Sequence, residues 1–221
     1  MFQACSFRSK FAVVAALASL ALASAASVQA GQIYEDSFTR VGNLNGSSPV
    51  PVDATSATYT ASPAFTTNGT SAVGNSNVEA YLPVTLGSGT YTASVTINPT
   101  GGINGDWLAF GFTAANALGT VFYSDSNAQL WLGYRANRDG NVQSVFTFHY
   151  GPLQNEYDAG VGTDEAPDRF TISLNGTTGA FSITDSLGLI DQTGMLSLTS
   201  LASINGISFR RSPAQRGPFK I

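Results

Sequence analysis

The stretch TYTASVTI, Thr90–Ile97, alternates without a break. Tyr91, Ala93, Val95 and Ile97 fall on one side, and Thr90, Thr92, Ser94 and Thr96 on the other. In a strand successive side chains point to opposite faces, so this pattern predicts a half-buried β-strand. The same period recurs down the chain. Leu108, Phe110 and Phe112 share a phase, as do Leu130, Leu132 and Tyr134, then Phe146, Phe148 and Tyr150. Phe170, Ile172 and Leu174 follow, then Phe181 and Ile183, then Ile207 and Phe209.

Turn chemistry separates these runs. Pro99–Gly102 and Asn104-Gly105 end one strand, Arg138–Asn141 (RDGN) predicts a hairpin, and Asn175–Gly179 (NGTTG) predicts another. Asp-Gly and Asn-Gly supply the positive φ angles that tight turns need. No fixed-period repeat is present, which argues against a propeller or solenoid. Evenly spaced strands of this kind predict a sandwich or barrel. About ten to twelve strands exceed an immunoglobulin sandwich of ~100 residues, so a large two-sheet antiparallel jelly roll fits better.

Composition agrees. Of 221 residues, 11% are charged and 43% apolar. The apolar fraction can build a core, which argues against disorder. The charge density is too low to coat the outer faces of a helical bundle. Ten Lys and Arg against fourteen Asp and Glu give a net charge of −4. No basic cluster stands out, so nucleic acid and anionic membranes are poor partners.

Residues 1–30 read as a secretory signal peptide. Arg8 and Lys10 form a basic start, FAVVAALASLALA at Phe11–Ala23 forms an apolar run, and Val28-Gln29-Ala30 suits cleavage before Gly31. The run is shorter than the ~20 residues that span a bilayer. The expected location is secreted, extracellular or at the cell surface, with 31–221 as one β-sandwich domain. Cys5 is the sole cysteine and lies in the leader, so the remainder forms no disulfide and no thiolate metal site.

Four stretches resemble the concanavalin A-like lectin/glucanase superfamily, in its laminin-G-like bacterial secreted branch. They are Asp36–Arg40 with Leu44-Asn45-Gly46, Gly105–Phe112, Trp131–Asn137 with Gly140–Val142, and Ile207–Arg211 with Gly217 and Phe219. The resemblance implies a jelly roll, and it implies that Ile207–Arg211 is the closing strand, next to a strand near Ile33–Phe38. Members of that branch often end in a Pro-Glu-Pro sorting segment, and Phe219-Lys220-Ile221 shows no such motif.

No catalytic residue is expected. Related glucanases carry alternating carboxylates on one strand, which places an acid and a nucleophile on one face. Glu156-Tyr157-Asp158 is the nearest match, but it lacks the third carboxylate and runs into Gly160 and Gly162, so it reads as loop charge. His149 is the sole histidine, and no Gly-x-Ser-x-Gly elbow accompanies it. Its ordinary reading is a surface or hydrogen-bonded residue. Asp125, Asn127, Asp139 and Asn141 offer oxygen ligands for calcium, against the alternative of turn-forming side chains. No other cofactor is implied. Asn45, Asn68 and Asn175 begin Asn-Gly-Ser/Thr triplets, read as glycan acceptors or as Asn-Gly turns.

The tryptophans carry the binding argument. Trp107 and Trp131 alternate out of phase with their apolar neighbours, and Arg135 shares the phase of Trp131. With the aliphatic phase inward, the three lie on the opposite face, where an indole and polar groups suit a sugar. The competing reading places the indoles in a secondary core. The functional expectation is a non-enzymatic module that binds glycans or extracellular matrix. The alternatives are a structural or adhesive surface protein, and a glycoside hydrolase with a degenerate site at Glu156 and Asp158.

Overall fold

The computed structural model describes residues 34–74, 77–97, 107–114, 127–135, 143–151, 156–163, 168–212 and 219–220. The strands in chain order are β1 (Tyr34–Asp36), β2 (Val41–Asn43), β3 (Pro51–Asp53), β4 (Thr60–Ala61), β5 (Phe65–Asn68), β6 (Ala72–Gly74), β7 (Val78–Pro83), β8 (Thr90–Ile97) and β9 (Trp107–Thr113). They continue with β10 (Ala128–Arg135), β11 (Gln143–Tyr150), β12 (Glu156–Thr163), β13 (Asp168–Asn175), β14 (Ala180–Asp185), β15 (Asp191–Met195), β16 (Gly206–Ser212) and β17 (Phe219–Lys220). A single short helix among the described residues, α1 (Leu198–Ser203), precedes β16.

One layer is a seven-stranded sheet in the order β12-β11-β10-β9-β16-β7-β4. The facing layer is split into two four-stranded sheets, β15-β14-β13-β8 and β17-β6-β5-β2, and β1 pairs with β3 separately. Every recorded pairing is antiparallel, which is the jelly-roll arrangement the alternation predicts.

The predicted apolar phases form the main core. Ala93, Val95 and Ile97 of β8 meet Leu108, Phe110, Phe112, Leu130, Leu132 and Tyr134 across the sandwich, with Phe170, Ile172 and Leu174 beside them. The ring of Tyr134 meets Phe170 at 6.4 Å, and Tyr150 meets Phe181 at 5.2 Å. Each such residue fully buried contributes roughly 1.5–3 kcal/mol. A second cluster joins Leu44 and Tyr59 to Phe65 of β5, Ala72 of β6 and Val78, Ala80 and Leu82 of β7, and Phe209 packs against both clusters.

Local chemistry fixes the connections. Asn175 Oδ1 accepts from the backbone N–H of Thr177 (2.9 Å) and Thr178 (2.8 Å), closing the predicted β13–β14 hairpin. Asn68 Oδ1 accepts from the N–H of Thr70 and Ser71, and Asn45 Oδ1 from that of Ala61, so all three triplet asparagines serve in turns or local bracing. The predicted β10–β11 pairing is present, while the RDGN turn lies outside the described residues, as do Pro99–Gly102 and Asn104-Gly105.

Three expectations are corrected. Glu156-Tyr157-Asp158 is not a loop: it opens β12, paired with β11 from His149↔Glu156 onward. Gly160 and Gly162 hid that strand, because glycine carries no alternating side chain. The strand containing Ile207–Arg211, expected to be the closing one, is followed by β17. It is interior, between β9 and β7. The strand near Ile33–Phe38 is therefore not its neighbour; Tyr34–Asp36 pairs with Pro51–Asp53 instead. Helix α1 was not foreseen, because six residues are too few to show a 3.6 period. Its one local signal is Ser197, whose side chain accepts from Ser200 N as an N-cap.

Candidate functional site

The seven-stranded sheet turns its apolar phase to the core, and its other face is polar. Residues directly opposite one another in an antiparallel pair share a face, so the register builds that face row by row. One row runs Glu156, His149, Trp131, Gly111, Ser208, Tyr81, Thr60 across seven strands. The next runs Asp158, Thr147, Gly133, Ala109, Arg210, Glu79. In a third, Arg135 is the partner of Trp107, which is the partner of Ser212.

Trp131, Arg135 and Trp107 thus hold register positions on the same face, as their phase predicts. Trp131 is only 1% exposed. It is the floor of this face and not a free platform, and with Ala109 and Ala128 it forms a small cluster apart from the main core. Its indole stacks on the His149 ring, with centroids 5.5 Å apart and planes inclined by 20°. Gly133 makes this possible: a Cβ there would come within 2.5 Å of Trp131 Cζ3 and 3.1 Å of Thr147 Oγ1. His149 is buried as well, with its Nε2 2.9 Å from Gly151 O, so its hydrogen-bonded reading holds and its surface reading does not.

Polar side chains that alternation alone did not single out complete the face. Glu79, Thr113, Gln129, Thr147, Ser208 and Arg210 are all buried. Arg210 Nη1 lies 3.7 Å from Glu79 Oε2, an ion pair across β16 and β7. The hydroxyls of Thr113 and Ser208 are 3.2 Å apart. Tyr81 donates its phenol to Asn205 O at 2.8 Å, and burial raises its pKa above the ordinary value, with Tyr34 adding to the effect. The available signal was polar residues in the outward phase of strongly apolar strands, such as Ser208 and Arg210 beside Ile207 and Phe209.

Of the predicted calcium ligands, Asp125, Asp139 and Asn141 lie outside the described residues. Asn127 is half-buried just before β10, and its backbone carbonyl accepts from Ala114 N at 2.7 Å. Among the described residues no group of three or more His, Cys, Asp or Glu could hold a metal ion, and no helix is long and apolar enough to cross a membrane. The described part of this face thus carries a stacked aromatic pair, hydroxyls, an amide and an ion pair, all of them buried.

No protein-family model matches the chain, and no curated protein matches it either. Solved structures do. LamAcat from Zobellia galactanivorans is 9% identical, with 85% of this chain and 93% of that one covered and a TM-score of 0.53. A LamA variant from Z. galactanivorans, in complex with laminaritriose and laminaritetraose, is 11% identical, with 85% and 94% covered and a TM-score of 0.54. At such identities the likeness is one of fold. The chain has the concanavalin A-like fold, an antiparallel β-sandwich of the jelly-roll kind.

Proposed function

We propose that this protein is a secreted, non-enzymatic carbohydrate-binding module that uses the polar face of its seven-stranded sheet. The observation that carries the reading is the Trp131–His149 stack, set among Thr147, Ser208, Gln129 and the Glu79–Arg210 pair on the face away from the core. These groups are buried, so in this reading they brace the face from beneath and do not themselves touch the sugar. Trp131 and His149 form the floor. Trp107 and Arg135, partners two rows further along the same strands, supply the contacts to ligand in this reading. Calcium, if bound, is held by Asp125, Asn127, Asp139 and Asn141. Residues 1–30 direct export, 31–221 are the working domain, and the laminin-G-like branch is its place within the superfamily. Extracellular matrix glycans are within the ligand class.

The test is calorimetric titration with laminaritriose and laminaritetraose, together with a glycan array, each with and without calcium. Saturable binding that Trp107→Ala weakens at least tenfold without shifting the unfolding midpoint is the expected result. A folded sample that binds no glycan overturns the reading in favour of a structural or adhesive protein.

A second reading rests on β12. Glu156 and Asp158 stand two apart on a strand, opposite His149 and Thr147, and glycosidases need two carboxylates roughly 5–9.5 Å apart. Release of reducing ends from laminarin, abolished in Glu156→Gln, would establish hydrolysis.

A further inference from the structure

The polar face of the seven-stranded sheet is not uniform. At one end of its first row the rings are covered: Trp131 is 1% exposed and His149 2%. Three strands away in the same row stands Tyr81 of β7, the partner of Ser208 on one side and of Thr60 on the other. Tyr81 and Thr60 are both half-buried. Neighbouring strands lie about 4.8 Å apart, so Trp131 and Tyr81 are separated by roughly 14 Å. Only Gly111 and Ser208 stand between them in the row. Among the described side chains of this face, Tyr81 is the one aromatic that reaches solvent.

Its ring is held in one pose. Gly206, two residues before Ser208 on β16, lies beneath it: a Cβ there would collide with ring atoms Cε2 and Cζ. The missing side chain lets the ring settle against the backbone of β16, which leaves its solvent-exposed surface on the side away from Gly206. The phenol oxygen is 2.8 Å from Asn205 O and 3.0 Å from Asn205 Oδ1, which fixes the far end of the ring. Asn205 is exposed, and with its Oδ1 turned to the phenol its NH2 group remains as a donor. A second phenol stands beside Pro83, the register partner of Gly206: Tyr34 donates to Pro83 O at 2.6 Å and lies 2.7 Å from Thr55 Oγ1. Pro83 and Thr55 are exposed.

These groups select a ligand class. A ring already fixed by its neighbours offers an apolar platform that loses little further freedom on binding. The Asn205 amide and the Thr60 hydroxyl supply a donor and a donor–acceptor at its margin. None of Tyr81, Thr60, Asn205, Gly206 and Pro83 carries a charge, and in the next row Glu79 and Arg210 balance each other. A planar aromatic ligand would cover the ring but leave the amide and hydroxyl unanswered. An anionic sugar meets no exposed cation among these residues. A neutral pyranose has both features required, an apolar C–H face and hydroxyls around its edge.

We propose that Tyr81 is a stacking platform for a neutral pyranose, with Asn205 and Thr60 hydrogen-bonding the sugar hydroxyls. The inference rests on the carbohydrate-binding reading above and gives that site a point of contact at the β7 end of the face, away from the covered Trp131 and His149.

The probes are laminaritetraose and an array of neutral and sialylated glycans, applied to the parent, Tyr81→Ala and Tyr81→Phe. The parent is expected to bind neutral glycans, Tyr81→Ala at least tenfold more weakly, and Tyr81→Phe within about threefold of the parent, because the ring remains. In tyrosine-labelled parent the Tyr81 ring resonances, identified by their absence in Tyr81→Phe, shift as the bound glycan saturates. Equal losses in the Ala and Phe variants overturn the proposal, since they report the bond to Asn205 and not stacking. So does binding to sialylated glycans alone. Full binding by Tyr81→Ala, or ring resonances that stay in place at saturation, overturns it while the carbohydrate reading stands; the resonances decide even where Tyr81→Ala does not fold. A folded parent that binds no glycan overturns both.

Discussion

Trp131 and His149 are backbone partners on β10 and β11, and their rings stack on the face of the sheet turned away from the sandwich core. The arrangement gives that face a small packed floor of its own. Trp131→Ala removes the largest fully buried side chain among the described residues and is expected to cost roughly 3–5 kcal/mol. His149→Ala removes the smaller ring and the stacking interaction, the latter worth about 0.5–1.5 kcal/mol. Urea denaturation measures both. A loss below about 1 kcal/mol for Trp131→Ala would mean the indole is not packed as described.

Glu79 and Arg210 face each other across β7 and β16, both buried, with Nη1 and Oε2 3.7 Å apart. Removing one partner takes a neighbouring opposite charge from a buried group. Glu79→Ala is therefore expected to destabilise by roughly 3–5 kcal/mol. Replacing both with Glu79→Leu and Arg210→Met is expected to lose far less than the sum of the single changes. A double-mutant cycle by urea denaturation checks this, and strict additivity would sink the pairing.

The first turn of the described chain carries a pH signature. Asp36 accepts two bonds from Arg40, at 2.8 and 2.7 Å, and the Arg40 guanidinium lies 5.7 Å from the centre of the Tyr59 ring. The hydrogen bond to Asp36 raises the Arg40 pKa, partly offset by burial. Tyr59 is buried, and that burial, with Asp36 adding to it, pushes its phenol well above the ordinary tyrosine range. An unfolded tyrosine ionises near pH 10. The stability tied to Tyr59 is therefore complete below about pH 10 and falls as the pH climbs past it, because the unfolded chain loses its proton first. Urea midpoints at pH 8 and pH 11 should differ less in Tyr59→Phe than in the parent; equal differences would remove Tyr59 as a source.

These sites divide by how far their signal travels in the sequence. The phases of Leu108, Phe110 and Phe112, and of Leu130, Leu132 and Tyr134, were legible because a strand writes its two faces into local alternation. The shared face of Trp107, Trp131 and Arg135 followed from the same period. The stack of Trp131 on His149 was not legible, because it depends on register between two strands, and a one-residue slip reverses every face. Strand order was hidden for a related reason. Nothing local in Ile207–Arg211 says that it lies inside the sheet. The β12 strand was masked by glycines, and Tyr34–Asp36 is too short to announce its partner.

Gly133 is the position where the floor can be disturbed with the smallest change. The Trp131 ring runs over it along β10, and a methyl group there would press on Cζ3 at 2.5 Å and on Thr147 Oγ1 at 3.1 Å. The indole must tilt, and His149 loses its parallel neighbour. Gly133→Ala is expected to cost roughly 1–3 kcal/mol, as overpacking does. The double change Gly133→Ala with Trp131→Phe should recover part of that loss, because the smaller ring leaves room for the methyl. Near-ultraviolet circular dichroism follows the indole's environment while urea denaturation follows stability. If Gly133→Ala alters neither, Trp131 does not lie over Gly133, and the floor of the proposed sugar site must be drawn differently.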